Sequence, residues 1–506
     1  MSILLAVVLG LAVALAYVSL SSKGEGPKPP GPRPLPVLGN LFDMPREREW
    51  LTFREWGRKW GDIVSISIFG NTIIVLNTIK EAVEMLDGKG AVYSDRPHIP
   101  MIELMGWDNS VGLGPYGTES YRETKRLFHQ LLGTHTALTQ FYSVEQHEVQ
   151  KFARRLLVSP EKFSEHIKTT TASIILRIAY GYVVQESDDP FVRTCDEAMN
   201  QVSEAASPGN FLVNIVPALN QLPEWVPGTG FKRQARLWAQ TLNEMIGKPY
   251  SFVKAQVDTG KAEPSVTSRL LEGYAEAEID AKTEFYIQWV GGTMIAGGTA
   301  TIDTTLHVFM LAMLLHPDAQ RKAQAELDAV IGSGRLPICA DRDSLPYVHA
   351  LVLELMRWHT VVPSGVAHSS TEDTVYKGYF IPKGSIIIPN TWNMAHDPAI
   401  YHDPMTFKPE RFLTAPGYDA EPDPRSTVYG FGRRICAGRL LADMTVFLAC
   451  STVLAVFDIS PHLDNGVPVL PVVDQLPGTI SNPPPFKCTI KPRTKAAVSL
   501  INGTTI

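Results

Sequence analysis

The sequence predicts a mainly α-helical body with small β-sheets (an α+β fold) carried behind an N-terminal membrane anchor. Three observations support this. Long apolar runs with helical periodicity occupy 283–316, 318–331 and 345–359. Strand-like segments are confined to an early pair, 63–69 and 72–76, and a late pair, 375–381 and 385–388. Strands segregated from dominant helices give an α+β architecture, and beyond Gly39 no repeat or low-complexity break divides the chain.

Each element has a physical reason. The 283–316 run reads as one helix of about nine turns, ended by Pro317, which disfavours a helical residue before it. Its middle holds Gly291, Gly292, Gly297 and Gly298, each costing about 1 kcal/mol against alanine in a helix interior. Close approach of a ligand and a tight helix crossing would offset that cost equally well. In the apolar run 351–358, Glu354 and Arg357 share a helix face at i, i+3. Burial is expected for that pair, and removing one partner of a buried pair typically costs about 3–5 kcal/mol.

The N-terminus reads differently. Residues 3–20 form an 18-residue stretch without charge, nearly enough to cross a roughly 30 Å hydrocarbon layer. No basic leader precedes it, as a cleaved signal peptide would require. Lys23, Lys28 and Arg33 follow it, so the positive-inside rule puts the body in the cytosol. Residues 1–22 are therefore expected to be a single-pass anchor, 23–40 a proline-rich hinge whose 27–36 segment is a stiff spacer, and 41–506 the catalytic domain. At 44% apolar and 19% charged residues the 506-residue chain can build a large core. Its net charge of −6 argues against a general affinity for nucleic acid. Five scattered cysteines show no zinc spacing, which fits reduced thiols. The sequon Asn502-Gly503-Thr504 reads as a chance match on the cytosolic side.

The most informative stretch is Tyr429-Gly430-Phe431-Gly432-Arg433-Arg434-Ile435-Cys436-Ala437-Gly438. Its cysteine lies between glycines, behind two arginines, at the mouth of an apolar helix over 439–456. Helix N–H groups and nearby cations favour a thiolate, and glycine admits a flat ligand close to the backbone. A thiolate axial ligand to haem favours O–O cleavage.

These residues resemble the haem-binding loop of the cytochrome P450 family, Phe-x-x-Gly-x-Arg-x-Cys-x-Gly. Gly432, Arg434, Cys436 and Gly438 match, and Tyr429 replaces the usual Phe, adding a hydroxyl expected to tune the iron. The 283–316 helix resembles the family's distal helix, [Ala/Gly]-Gly-x-[Asp/Glu]-Thr, at Gly297-Gly298-Thr299-Ala300-Thr301. The resemblance makes Thr301 the hydroxyl that steadies dioxygen and relays protons. Ala300 lacks the usual carboxylate, and Asp303, about 300° further round the helix, is the candidate substitute through water. Glu354-Leu355-Met356-Arg357 and Pro409-Glu410-Arg411-Phe412 resemble Glu-x-x-Arg and Pro-Glu-Arg-Phe, which makes Glu354, Arg357 and Arg411 a structural set beneath the haem. Arg434, His368, Arg96 and Lys125 (in place of an arginine) are the implied propionate partners. Met44-Pro45, Trp50-Leu51-Thr52-Phe53 and Leu104-Met105-Gly106-Trp107 resemble fungal members grouped with O-methylsterigmatocystin oxidoreductase and tryptamine hydroxylase.

The resemblance implies haem b on Cys436 and insertion of one oxygen atom from O2 into a largely hydrophobic small molecule, in fungal secondary metabolism. Electrons would come from NADPH through NADPH–cytochrome P450 reductase, with cytochrome b5 as a further donor, at the endoplasmic reticulum membrane. Segments 101–109, 294–298 and 361–366 are expected to line the pocket, among them Leu104, Trp107, Met294, Gly297, Val361 and Val362. Arg122, Lys125, Arg126, Lys151, Arg154 and Arg155 form two basic clusters suited to an acidic reductase. Two alternatives stand beside this reading: a haem-thiolate isomerase or dehydratase needing no reductase, which Ala300 keeps open, and a non-catalytic haem sensor or carrier.

Overall fold

The computed structural model describes residues 26–207, 209–274 and 279–503. The expected membrane span at 3–20, and Thr504 of the sequon, lie outside them. The longer helices are α1 (Glu49–Trp60), α2 (Glu119–Leu132), α3 (Tyr142–Val158), α4 (Phe163–Tyr180), α5 (Pro190–Ala206), α6 (Gly230–Asp258), α7 (Ala281–Leu315), α8 (Pro317–Val330), α9 (Pro346–Trp358) and α10 (Arg439–Val456). The strands are β1 (Ile63–Ile68), β2 (Asn71–Leu76), β3 (His368–Ser369), β4 (Thr374–Tyr376), β5 (Tyr379–Ile381), β6 (Ile386–Pro389), β7 (Phe457–Asp464), β8 (Val467–Val469) and β9 (Cys488–Pro492).

Helix α7 is the axis of the body. The Asp280 carboxylate caps its start by accepting the Thr283 N–H (2.6 Å), and Pro317 begins the next helix. Its glycines separate into two kinds. A Cβ at Gly291 would fall on the Tyr180 ring, at Gly292 on Ile246, and at Gly298 on Ile175 (2.7 Å). Those three let α7 cross α4 and α6 closely. A Cβ at Gly297 would meet no atom within 4 Å. Three glycines thus serve helix crossing and the fourth opens a space.

The early and late strands meet in one sheet, ordered β1-β2-β6-β3, with β2 and β6 parallel. The described part of the hinge lies against this sheet and the β4-β5 pair: Ser65 N–H of β1 donates to Pro30 O (2.9 Å) and Phe380 N–H of β5 to Pro27 O (2.8 Å). The segment 375–381 is a hairpin rather than one strand, because Lys377 (φ 50°) and Gly378 (φ 83°) turn the chain between β4 and β5. A third sheet, β8-β7-β9, was not foreseen. β7 and β8 form a tight hairpin about Asn465-Gly466, a turn signal the sequence does carry, whereas β9 reaches β7 from a distance. Two described helices, α7 and α10, are long and apolar enough to cross a membrane, and both are mostly buried inside the body.

Among the described residues one of the buried acids of the helical layer has no ion-pair partner. Glu145 on α3 is 1% exposed, accepts the Thr445 hydroxyl of α10 (2.6 Å), and has an unpartnered Oε2. Burial pushes its pKa up to about 8. The folded chain therefore holds this proton where the unfolded chain has lost it. Stability is full below about pH 4.5 and falls by up to about 1.4 kcal/mol per pH unit until about pH 8. Glu145→Gln is expected to flatten that slope in denaturant melts across the pH range. In the same assay Gly291→Ala should cost about 1–3 kcal/mol through overpacking, whereas Gly297→Ala should be neutral or stabilising by up to about 1 kcal/mol.

Candidate active site

A cavity of about 370 Å³ lies between α7 and the 429–438 loop. Local geometry fixes the loop. The Cys436 N–H donates to Tyr429 O (2.8 Å), which closes the turn. Gly430 and Gly432 hold positive φ (79° and 52°), and a side chain at Gly432 would strike Leu86 O. Gly438 then starts α10 with open space where a Cβ would lie. Cys436 is enclosed by protein yet open to the cavity.

Burial is the largest influence and pushes the Cys436 thiol up, against the Gly438 N–H and Arg439. The helix-start N–H and the neighbouring cation that the sequence points to do act on the sulfur, and burial outweighs them.

Opposite charges are missing elsewhere on the wall. Arg434 is buried and donates only to carbonyls, those of Ser94 (2.6 Å), Val111 (3.1 Å) and Gly114 (2.7 Å). Arg96 donates to Gly112 O (2.8 Å), Val366 O (2.9 Å) and Ala367 O (2.7 Å). Burial, then Arg434, pushes the Arg96 guanidinium down. Among the described residues neither arginine has a carboxylate within ion-pair distance, although both line the cavity. Two such cations call for a ligand carrying carboxylates. His368 also lines the cavity, and its Nδ1 donates to Tyr93 O (2.7 Å). Burial, then Arg96, holds it near 3. It is a neutral ring in this environment. Lys125 lines the cavity but donates to Arg433 O and to the Tyr121 hydroxyl (3.2 Å).

Met294, Gly297, Gly298 and Thr301 form the α7 wall, and Val361, Val362 and Val366 also line the cavity. The Thr301 hydroxyl donates to Gly297 O (2.8 Å). Ala300 and Asp303 are not on this wall. Asp303 lies about 200° round the helix from both Thr301 and Thr305 and faces His307, whose Nδ1 is 3.4 Å from Oδ2. That ring bonds onward to Ser164 (2.8 Å). Leu104 and Trp107 do not reach the cavity either. They pack in the helical core, and Val111, Gly112 and Leu113 take the place expected of 101–109. Ile175, Thr293 and Thr305 are further wall residues without a motif to reveal them.

The structural set is fully buried. Both Glu354 oxygens accept from Arg357 (2.7 and 2.8 Å), and Arg411 Nε lies 3.1 Å from Oε1. Glu421, a fourth member, takes Arg411 Nη1 (2.7 Å). Of the basic clusters, Lys151 pairs with Glu148 and Arg155 with Glu186, while Arg154 donates to Ile501 O. Arg122 and Arg126 are exposed, Arg126 being paired with Glu123 (2.9 Å).

A helical body whose apolar cavity offers one cysteine sulfur, an open glycine at its side, two cations without counter-charge and a facing threonine defines a haem-thiolate protein. Comparison with known sequences agrees. Residues 29–490 match the cytochrome P450 family. The chain is 46% identical to cytochrome P450 monooxygenase 208 of Postia placenta, covering 92% of this chain and 91% of the relative. It is 41% identical to cytochrome P450 monooxygenase claR of Ampulloclitocybe clavipes (92% and 87%) and 40% identical to COX2 of Coprinopsis cinerea (93% and 90%). The chain belongs to the cytochrome P450 family and is a monooxygenase of the fungal kind. The reductase-free isomerase and the sensor are not favoured.

Arg357→Ala leaves the Glu354 carboxylate with one cation in a dry interior, and a loss of about 3–5 kcal/mol is expected in denaturant unfolding. Lys at 357 should not restore it, because the two parallel N–H bonds are lost.

Proposed function

We propose that the protein inserts one oxygen atom from O2 into a largely hydrophobic small molecule of secondary metabolism. Electrons come from NADPH through NADPH–cytochrome P450 reductase, assisted by cytochrome b5. The body is cytosolic, held at the endoplasmic reticulum membrane by residues 1–22. The observation that carries this reading is the shared cavity: Cys436, Thr301 and the unpaired Arg96–Arg434 couple all line it.

Bound haem supplies dioxygen activation. Cys436 is the residue to hold its iron, and Arg434, Arg96 and His368 are the partners for its carboxylates. Thr301 presents a hydroxyl whose hydrogen rests on Gly297 O, leaving its lone pairs free to accept from the cavity. Exchanging that bond for a donor bond into the cavity lets the same oxygen pass a proton inward. Met294, Val361, Val362 and Val366 keep water from this space and orient an apolar substrate. Exposed Arg122, beside the Glu123-paired Arg126, contributes a basic surface for an acidic reductase. Asp303 is committed to His307 and is assigned a structural role.

The test is a carbon-monoxide difference spectrum of the reduced protein, then a substrate screen for spectral binding shifts with reductase supplied. Cys436→Ser should lose the thiolate-type band and all reductase-dependent turnover. Thr301→Ala should keep the band while leaking several-fold more hydrogen peroxide per NADPH, and Asp303→Asn should leave coupling unchanged. A Cys436→Ser protein with the parent's band would overturn the assignment.

A further inference from the structure

Away from the cavity, the C-terminal hairpin gathers exposed aliphatic side chains: Val467 is 64% exposed, Leu470 63%, Val472 72% and Val473 58%, with Leu463 and Val469 beside them. β8 pairs with β7 alone, so its outer edge is unpaired. No charge occurs from Gly466 to Val473. An uncharged aliphatic edge facing water is a liability unless something covers it.

Its chemistry selects the cover. Pro468 removes an N–H from β8, and Pro471 follows, so another strand adds poorly to this edge. The run carries no Trp, Tyr or Arg, the side chains that anchor protein interfaces. Position supplies the rest. Asp474 ends the run and is ion-paired with Arg48 (2.7 Å). Arg48 lies just beyond the hinge, and Phe42 between them is 76% exposed. The hairpin is thereby tied to the part of the chain that leads to the uncharged stretch 3–20.

We propose that hairpin 463–473 is a second membrane contact, entering the headgroup–acyl boundary of the bilayer beside the anchor. The proposal rests on the anchoring reading above. It is tested on full-length haem-loaded protein in phosphatidylcholine vesicles, with an environment-sensitive fluorophore on Val472→Cys or, as control, on Val158→Cys (83% exposed on α3). Cys195, Cys339, Cys450 and Cys488 are buried and spared by the label. Spin-labelled lipids should quench the 472 probe several-fold more than the 158 probe, and aqueous iodide should do the reverse. Vesicle-bound protein with equal lipid quenching at both sites overturns the hairpin contact and leaves the anchor standing. Protein that fails to float with vesicles overturns both. A concentration-dependent blue shift at 472 without lipid assigns the hairpin to self-association and also overturns the contact.

Discussion

A single buried carboxylate, that of Glu354, accepts from two guanidiniums in a place water does not reach. Its Oε1 also takes the Lys408 N–H (2.8 Å). Arg357 goes on to the carbonyls of Ala395 and Pro404, and Arg411 to those of His402 and Thr406. Irregular chain has no ladder of its own to satisfy its backbone, so these two side chains do that work. The segment 395–411 hangs from them, and behind it the chain runs to the cysteine loop. A buried ion set of this kind is poor evidence of net stability and good evidence of a single arrangement.

The cavity shows the complementary case. Arg96 and Arg434 have carbonyls for company but no acid, and the ring of His368 is neutral. One region of the protein has its charge balanced internally, and the other leaves the balance to a ligand. That contrast separates scaffold from site more sharply than burial does, since both groups are largely enclosed.

Much of this was legible beforehand. Periodicity located α7, α8 and α9 to within two residues at each end, because long amphipathic or buried runs give many repeats of one signal. The loop around Cys436 was legible because close backbone approach demands glycines at fixed offsets. Other features left no local trace. Strand β9 joins β7 from about 25 residues further on, Glu421 joins the Glu354 set through folding alone, and the wall at 111–113 follows from the path of a loop. Leu104 and Trp107 have the right character for a pocket, yet hydrophobicity does not distinguish a cavity wall from the core behind it. Ala300 and Asp303 show the limit of helical angles: sequence fixes where a side chain lies on the cylinder, but not which side of the cylinder faces the hollow.

The division among the glycines of α7 has an evolutionary consequence. Gly291, Gly292 and Gly298 are wedged against neighbouring helices, so natural variation there is screened first by folding. Gly297 meets only empty space. Drift at that one codon can reshape what the chamber admits before any penalty on the scaffold arises, and a lineage in search of new molecules to oxidise has an inexpensive place to begin.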